Sequence, residues 1–289
     1  MGVFLSFRVL DFPDLTVDGS FPLGAAVCAS MIVAGAHPVV ATFCACLAGA
    51  AAGVVTAWLN VKLKILHLLA SILTMIALYS INLRIMDGPN KALLGIETLL
   101  SPLDNLILFG TDIPYYIAYP LVFGLFAFVI LYLLVYFLQS EIGLAMRATG
   151  ANIRMARANG VNTSMMIIFG MALSNSLVAL AGALFAQSQG SADVTMGVGI
   201  IVIGLASVIG GEALLSHKTI FKWLLACLLG SLLYRMVIAL ALNGEVLGLK
   251  AQDLNLITAV LVTLAIVAPT IKSKLKKWLV IFSSQVTKS

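Results

Sequence analysis

Residues 141–162 read EIGLAMRATGANIRMARANGVN. They border two of the longest uncharged stretches of the chain, Ile113–Ser140 and Ala158–Ala192. Each stretch is long enough to cross a bilayer as a helix, which takes about 20 apolar residues. The segment between them is basic, with Arg147, Arg154 and Arg157 against the single acid Glu141. A basic segment between two spans is expected on the cytoplasmic side. Gly143, Gly150 and Gly160 punctuate it, which predicts two short helices in place of one long one. Arg147 and Arg154 are seven positions apart and in a helix would share one face with Ala151 and Ala158. Charge alone fits an ordinary cytoplasmic loop as well as it fits a folded docking surface.

Composition extends this reading to the whole chain. Of 289 residues, 61% are hydrophobic and only 10% charged, against about 25% charged in soluble domains. Mean hydropathy is +1.09. An all-α polytopic membrane protein follows, with apolar length for about eight transmembrane helices. A β-barrel is excluded because the spans do not alternate polar and apolar residues. No hydrophilic stretch is long enough to build a soluble core. The expected organisation is one transmembrane domain, residues 1–271, followed by a basic tail, 272–289. The net charge of +5 is no nucleic-acid signal, because the basic residues fall in short loops and the tail. Cys28, Cys44, Cys46 and Cys227 lie in apolar runs without metal or redox spacing, and read as small buried hydrophobes.

From the N-terminus, Met1–Leu10 reads as the end of an apolar span whose beginning is missing. Arg8–Gly24 follows, RVLDFPDLTVDGSFPLG. Pro13 and Pro22 oppose a continuous helix, and three aspartates this close to apolar sequence are unusual. Two readings stay open. In one, the segment is an extramembrane loop in which Asp14 or Asp18 caps the next helix. In the other, it is broken backbone at membrane depth, tolerated only where it is buried in protein or lines a watery cavity.

Gly19–Val61 carries no charge and is too long for one span, and His37–Pro38 divides it near 22–36 and 39–58. Gly49 and Gly53 allow close helix packing. His37 reads as a turn residue. The next span, 65–86, is polar on one stripe: Ser71, Thr74 and Asn82 recur at helical spacing with Leu78, as expected of a face turned to a bundle interior or cavity. Within 87–112, Leu93–Leu100 and Leu103–Phe109 read as short surface or re-entrant helices. A lipid-facing span at 116–138 precedes the basic segment, and a small, polar span at 163–187 with Ser174 and Asn175 follows it. Gly197–Gly211 reads as a short or re-entrant helix. The span at 220–242 holds Arg235 too deep to snorkel fully, which favours a paired or cavity-facing side chain. The last span is 254–271. With the C-terminus inside, the loops at 58–64, 139–162 and 212–222 plus the tail hold 12 of the 17 Lys and Arg, in keeping with the positive-inside bias.

The order of residues in the basic segment goes further. GLAMRATGAN followed by ARANGVN resembles the ATPase-coupling loop of bacterial ABC importer permeases of the branched-chain amino acid and ribose permease superfamily. There the loop runs G-x-A-x-R-A and then A-x-x-x-G-[IV]-N. FRVLDFPDLTVDGSFPLG, SILTM at 71–75 and LYSINLRIM at 78–86 resemble the tryptophan/tyrosine-type or uncharacterised branch of that superfamily. The resemblance covers nearly the whole chain, with one departure: relatives begin with a complete first helix before this motif.

The resemblance implies a permease subunit in the bacterial inner membrane, with a cytoplasmic C-terminus. Its partners would be a second permease subunit, identical or paralogous, cytoplasmic ABC ATPases and an extracytoplasmic substrate-binding protein. No nucleotide loop, metal cluster or catalytic constellation occurs in the sequence. The chain is therefore expected to bind no cofactor itself, with ATP and Mg on the partner ATPase. By resemblance, Gly143, Arg147, Ala148, Gly150, Arg154, Ala158 and Gly160 make or shape the ATPase contact. The expected translocation pathway is lined by Asp14, Asp18, Ser71, Thr74, Asn82, Ser174, Asn175 and Arg235. The expected cargo is a small polar solute; the branch resemblance implies an amino acid, an aromatic one. A self-sufficient secondary transporter or channel worked by Asp11, Asp14, Asp18 or Arg235 is the alternative.

Overall fold

Among the described residues, six helices are long and apolar enough to cross a membrane, and they account for most of that part of the chain: this is an all-α polytopic membrane protein. The computed structural model describes residues 1–101, 107–108, 111–112, 115–215, 219–243 and 263. The expected last span and the basic tail lie outside the described residues, residue 263 apart. The chain divides into two compact units, Met1–Ile201 and a second that begins at Val202.

In the first unit, α1 (Gly2–Phe4) runs on into a π-helical turn, Leu5–Val9. The helix stops at Asp11, whose φ of 53° is left-handed, and Pro13 prevents its resumption. α2 (Val17–Val33) then begins and carries Pro22 within its first two turns. Of its 17 residues, only Asp18, Val27, Ser30, Met31 and Val33 reach the surface. A helix apolar all round belongs inside a bundle, and α2 is the central helix here.

α3 (Pro38–Leu63) starts where expected. His37 caps it, its Nδ1 accepting from the Val39 N–H at 3.3 Å, and Pro38 occupies the first turn where no donor is needed. α4 (His67–Met86) and α5 (Tyr115–Gln139) follow. Next come α6 (Glu141–Ala151), α7 (Ile153–Ala158) and α8 (Thr163–Gln189). α8 has 27 residues, about 40 Å at 1.5 Å per residue, and packs against both α2 and α3. The backbones nearly touch. Gly53 of α3 lies against the Met171 carbonyl and Gly182 of α8 against the Phe21 carbonyl, with no room for a Cβ at either.

The expected helix at Leu93–Leu100 is not formed. Asn90–Ala92 is instead a strand, β1, antiparallel to a strand that follows α8, and the chain beyond it turns through Gly95 at φ 77°. The first residue of the stretch, Leu93, instead donates its N–H to the Gly190 carbonyl at the end of α8, at 2.8 Å, and so continues the strand pairing. Of Leu103–Phe109, the described part is a strand, β2 (Ile107–Leu108), paired with β3 (Thr111–Asp112). The partner of β1 is β4 (Ser191–Asp193), with Asn90 opposite Asp193. A 3-10 turn, Val194–Gly197, leads to α9 (Ile200–Leu214). In the second unit, α10 (Ile220–Asn243) packs on the later part of α9, with Gly211 against the Ala226 carbonyl and Gly230 against the Ser207 carbonyl.

Candidate functional site

The broken segment between α1 and α2 folds back into the bundle. Leu10 lies against Gly170 of α8, and Phe12 meets His67 at the start of α4 with ring centroids 4.3 Å apart. The chain then returns, and Asp14 reaches Asn175 of α8. Asn175 stands twelve residues from the first residue of α8, about 18 Å along its axis, so the Asp14 carboxylate is deep in the bundle. It is buried and its oxygens are both used. Oδ1 accepts from the Thr16 N–H at 2.9 Å and Oδ2 from Asn175 Nδ2 at 2.7 Å.

Asn175 completes the centre by accepting from Ser20 Oγ at 2.7 Å. Thr16 and Thr56 of α3 share a hydrogen bond of 2.8 Å between their hydroxyls. Ser174 donates to the Gly2 carbonyl at 2.8 Å. Polar groups from α3 and α8 thus converge on residues 14–20, the turn before α2 and the first residues of that helix. A buried polar group is tolerated when it is hydrogen-bonded, and this arrangement meets that condition for Asp14, Asn175 and Ser20.

Ser71, Thr74 and Asn82 do form one inward stripe on α4, with Ala70, Leu78 and Met86. Ser71 and Thr74 return their hydroxyls to α4 carbonyls, those of Leu68 and Ala70. Asn82 donates to the Gly19 carbonyl of α2 at 3.3 Å, while its Oδ1 is buried and meets no donor among the described residues. Asp18 does not cap its own helix and turns to the backbone before and within α9. Oδ2 accepts from the Gly199 N–H at 3.3 Å and Oδ1 from the Ile201 N–H at 2.8 Å. Arg235 lies exposed on α10 in the second unit.

The basic segment forms two helices, as expected, but not for the expected reason. Gly143 and Gly150 lie inside α6, where they allow close approach: Gly143 to the end of α5 at Phe137 and Leu138, and Gly150 to the Val9 carbonyl. The break falls at Asn152, extended at φ −161°, ψ 101°, whose side chain caps α7 through the Met155 N–H at 3.0 Å. Arg147 and Arg154 therefore sit on different helices and share no single helical face. Gly160, at φ 82°, makes the left-handed turn that ends the pair, and Asn162 then caps α8 through the Met165 N–H at 3.2 Å.

The pair buries Met146, Thr149 and Ala156. Ala148, Arg154 and Ala158 are exposed and Arg147 is half-buried. Beside them, Leu144 is 52% and Met155 66% exposed. The outward side of a pair too short to span a membrane is thus both apolar and cationic.

Sequence reasoning overlooked Thr16, Ser20, Thr56 and Arg157 as site residues. Thr16 and Ser20 stand in the same motif as the two aspartates and could have been read with them. Thr56 is an isolated threonine in an apolar helix and carried no local signal. Arg157 donates to Thr163 Oγ1 at 3.2 Å, which ties α7 to the start of α8.

Residues 1–268 match the family model described as branched-chain amino acid transport system / permease component. Among known proteins, the chain is 38% identical over 278 residues to a tyrosine transport system permease protein of Clostridioides difficile, covering 96% of this chain and 88% of that one. It is 33% identical over 272 residues to an uncharacterised protein of Rickettsia prowazekii, covering 92% and 91%. It is 28% identical over 233 residues to the galactofuranose transporter permease protein YtfT of Escherichia coli, covering 80% and 65%. No solved structure matches the chain.

Proposed function

The chain belongs to the family of branched-chain amino acid transport system permease components, and from that premise we propose that it moves an amino acid, an aromatic one, inward across the bacterial inner membrane. At the level of the family it is an integral membrane permease component of an ABC-type transport system, a transport subunit and not a catalytic enzyme. The amino-acid cargo rests on the likeness to the tyrosine permease of Clostridioides difficile.

The observation that carries the coupling is the α6–α7 pair. It is held at both ends by the spans α5 and α8, rigidly capped at Ser140, Asn152 and Asn162, and it presents Leu144, Ala148, Arg154, Met155 and Ala158 outward. Exposed apolar side chains next to an arginine need a partner that buries the one and pairs the other. A cytoplasmic ATPase fits, with ATP and Mg held on that subunit. A second permease, identical or paralogous, and an extracytoplasmic binding protein complete the importer, and the C-terminus is cytoplasmic.

Closing of the ATPases on ATP would move α6, and with it the Val9–Leu10 backbone against which Gly150 is packed. The buried centre of Asp14, Ser174 and Asn175 and the α4 stripe of Ser71, Thr74 and Asn82 supply the groups that exchange partners as the pathway changes from outward- to inward-open.

The test is purification and reconstitution. The chain is expressed with the open reading frames beside its gene, any ATPase that remains bound is identified, and the complex is placed in proteoliposomes with its binding protein. ATP-dependent uptake of tyrosine, not competed by a hexose, is the expected result. Uptake by the chain alone down an ion gradient, with no ATPase bound, overturns the reading in favour of a secondary transporter.

A further inference from the structure

α9 starts without a cap of its own. The residue before it is Gly199, which has no side chain and sits at a left-handed φ of 83°. The first N–H groups of any helix lack intrahelical acceptors. The missing acceptor comes from Asp18 on α2. Its Oδ1 takes the Ile201 N–H, the donor that a local cap residue would take, and its Oδ2 takes the Gly199 N–H. A carboxylate there also complements the positive end of the helix dipole. Gly197 lies directly on the Asp18 carbonyl, with no space for a Cβ, so backbone and side chain of residue 18 both grip the lead-in to α9.

The other end of the same short segment is gripped by α6. Gly150 packs on the Val9 carbonyl and on Leu10. Between these points the chain is pinned by Asp14 to Asn175 and by Thr16 to Thr56. Ten residues, Val9–Asp18, therefore run without slack from the coupling helix to the start of α9. Asp18 is separated from Ile201 by 183 positions, so nothing local in the sequence makes this joint.

We propose that Asp18 is a positioning residue of the transport cycle: by capping α9 from α2 it makes the start of α9 move with the Val9–Asp18 turn, and so with the coupling helix α6. This rests on the reading of the chain as an ATPase-driven permease. In it Asp18 holds a helix start, whereas the sequence led to the expectation that it lines the translocation pathway.

The test uses the whole transporter in proteoliposomes, with Asp18→Ala and Asp18→Asn compared to the unaltered chain. Asparagine keeps one acceptor oxygen for the Ile201 N–H and loses the charge. Three readouts are taken: uptake, ATP hydrolysis, and the labelling rate of Val198→Cys by a membrane-impermeant maleimide, at rest and after trapping with ATP and vanadate. Val198 is 77% exposed and adjoins Gly199, and the signal of the native cysteines is subtracted. The unaltered chain should change its labelling rate on trapping.

In Asp18→Ala, uptake per ATP hydrolysed should fall about tenfold and the labelling change should disappear, while hydrolysis stays within about twofold. Asp18→Asn should fall between the two. The proposal is overturned if both variants keep their uptake per ATP and their labelling change, or if uptake and hydrolysis fall together in proportion, as a structural role requires. Should Asp18→Ala fail to assemble, Asp18→Asn decides on the same readouts. If the unaltered complex shows no ATP-driven uptake, the permease reading fails; if it transports and the variants match it, only the joint fails.

Discussion

Asn175 donates its side-chain amide to Asp14 at 2.7 Å, across 161 positions of sequence. The bond joins the non-helical turn before α2 to the middle of the longest described helix. It has a measurable consequence. Asn175→Ala removes a donor from a buried carboxylate and an acceptor from Ser20, so we expect a loss of about 1–3 kcal/mol. Thermal unfolding in detergent reads it. Combined with Asp14→Asn, the losses should be less than additive, because both variants break the same pair.

Helix contact predicts a second contrast. A methyl group at Gly53 has no space beside the Met171 carbonyl, whereas one at Gly124 on α5 meets nothing within 4 Å. Gly53→Ala should cost about 1–3 kcal/mol through overpacking. Gly124→Ala should be neutral or raise stability by up to about 1 kcal/mol through helix propensity. Melting temperatures of the two variants in one detergent test the pair, and equal values would contradict the packing of α3 on α8.

The α6–α7 pair holds its arginines in different surroundings. Arg154 is exposed, so Arg154→Glu should leave melting within about 0.5 kcal/mol yet lower ATPase retention and uptake. Charge reversal at Arg147 should uncouple transport in the same way while the protein still inserts. Arg157→Ala loses the bond to Thr163 and should lower stability with a smaller effect on uptake per ATP. Normal uptake by both reversed variants would remove α6–α7 from the mechanism.

The break at Asn152 makes the fourth prediction. Asn152→Ala loses the cap of α7 and should cost about 0.5–2 kcal/mol, whereas Asn152→Gly should cost only a few tenths. Hydrogen exchange of the α7 amides is the measurement. Faster exchange in the alanine variant is expected, and no difference between the variants would mean that the cap does not hold the helix.

The physical reason for what was legible lies in range. His37–Pro38, the paired helices after Ser140 and the α4 stripe at 71, 74 and 82 depend on neighbours within a few residues, so periodicity and capping chemistry reveal them. The false reading of Gly143 and Gly150 shows the limit. A glycine can break a helix or admit another backbone, and only the presence of Phe137 and Val9 beside them distinguishes the two. The strand at Asn90–Ala92 was missed for the same reason, since its partner lies a hundred residues on.

The sequence by itself determined that this is a membrane-embedded helical protein with a basic helix pair between two spans, because transfer of apolar side chains from water and the cost of unpaired backbone in lipid act on each segment separately. Tertiary structure alone decided where the polar groups of those segments go. Asp14 could have capped its own helix or faced water; it meets Asn175 because α8 brings that amide to it. Asp18 could have capped α2; it caps α9 because Gly197 and Gly199 leave that helix start open beside it. Hydrogen bonds are satisfied by whichever partner folding delivers, and a partner more than a hundred residues away leaves no local mark.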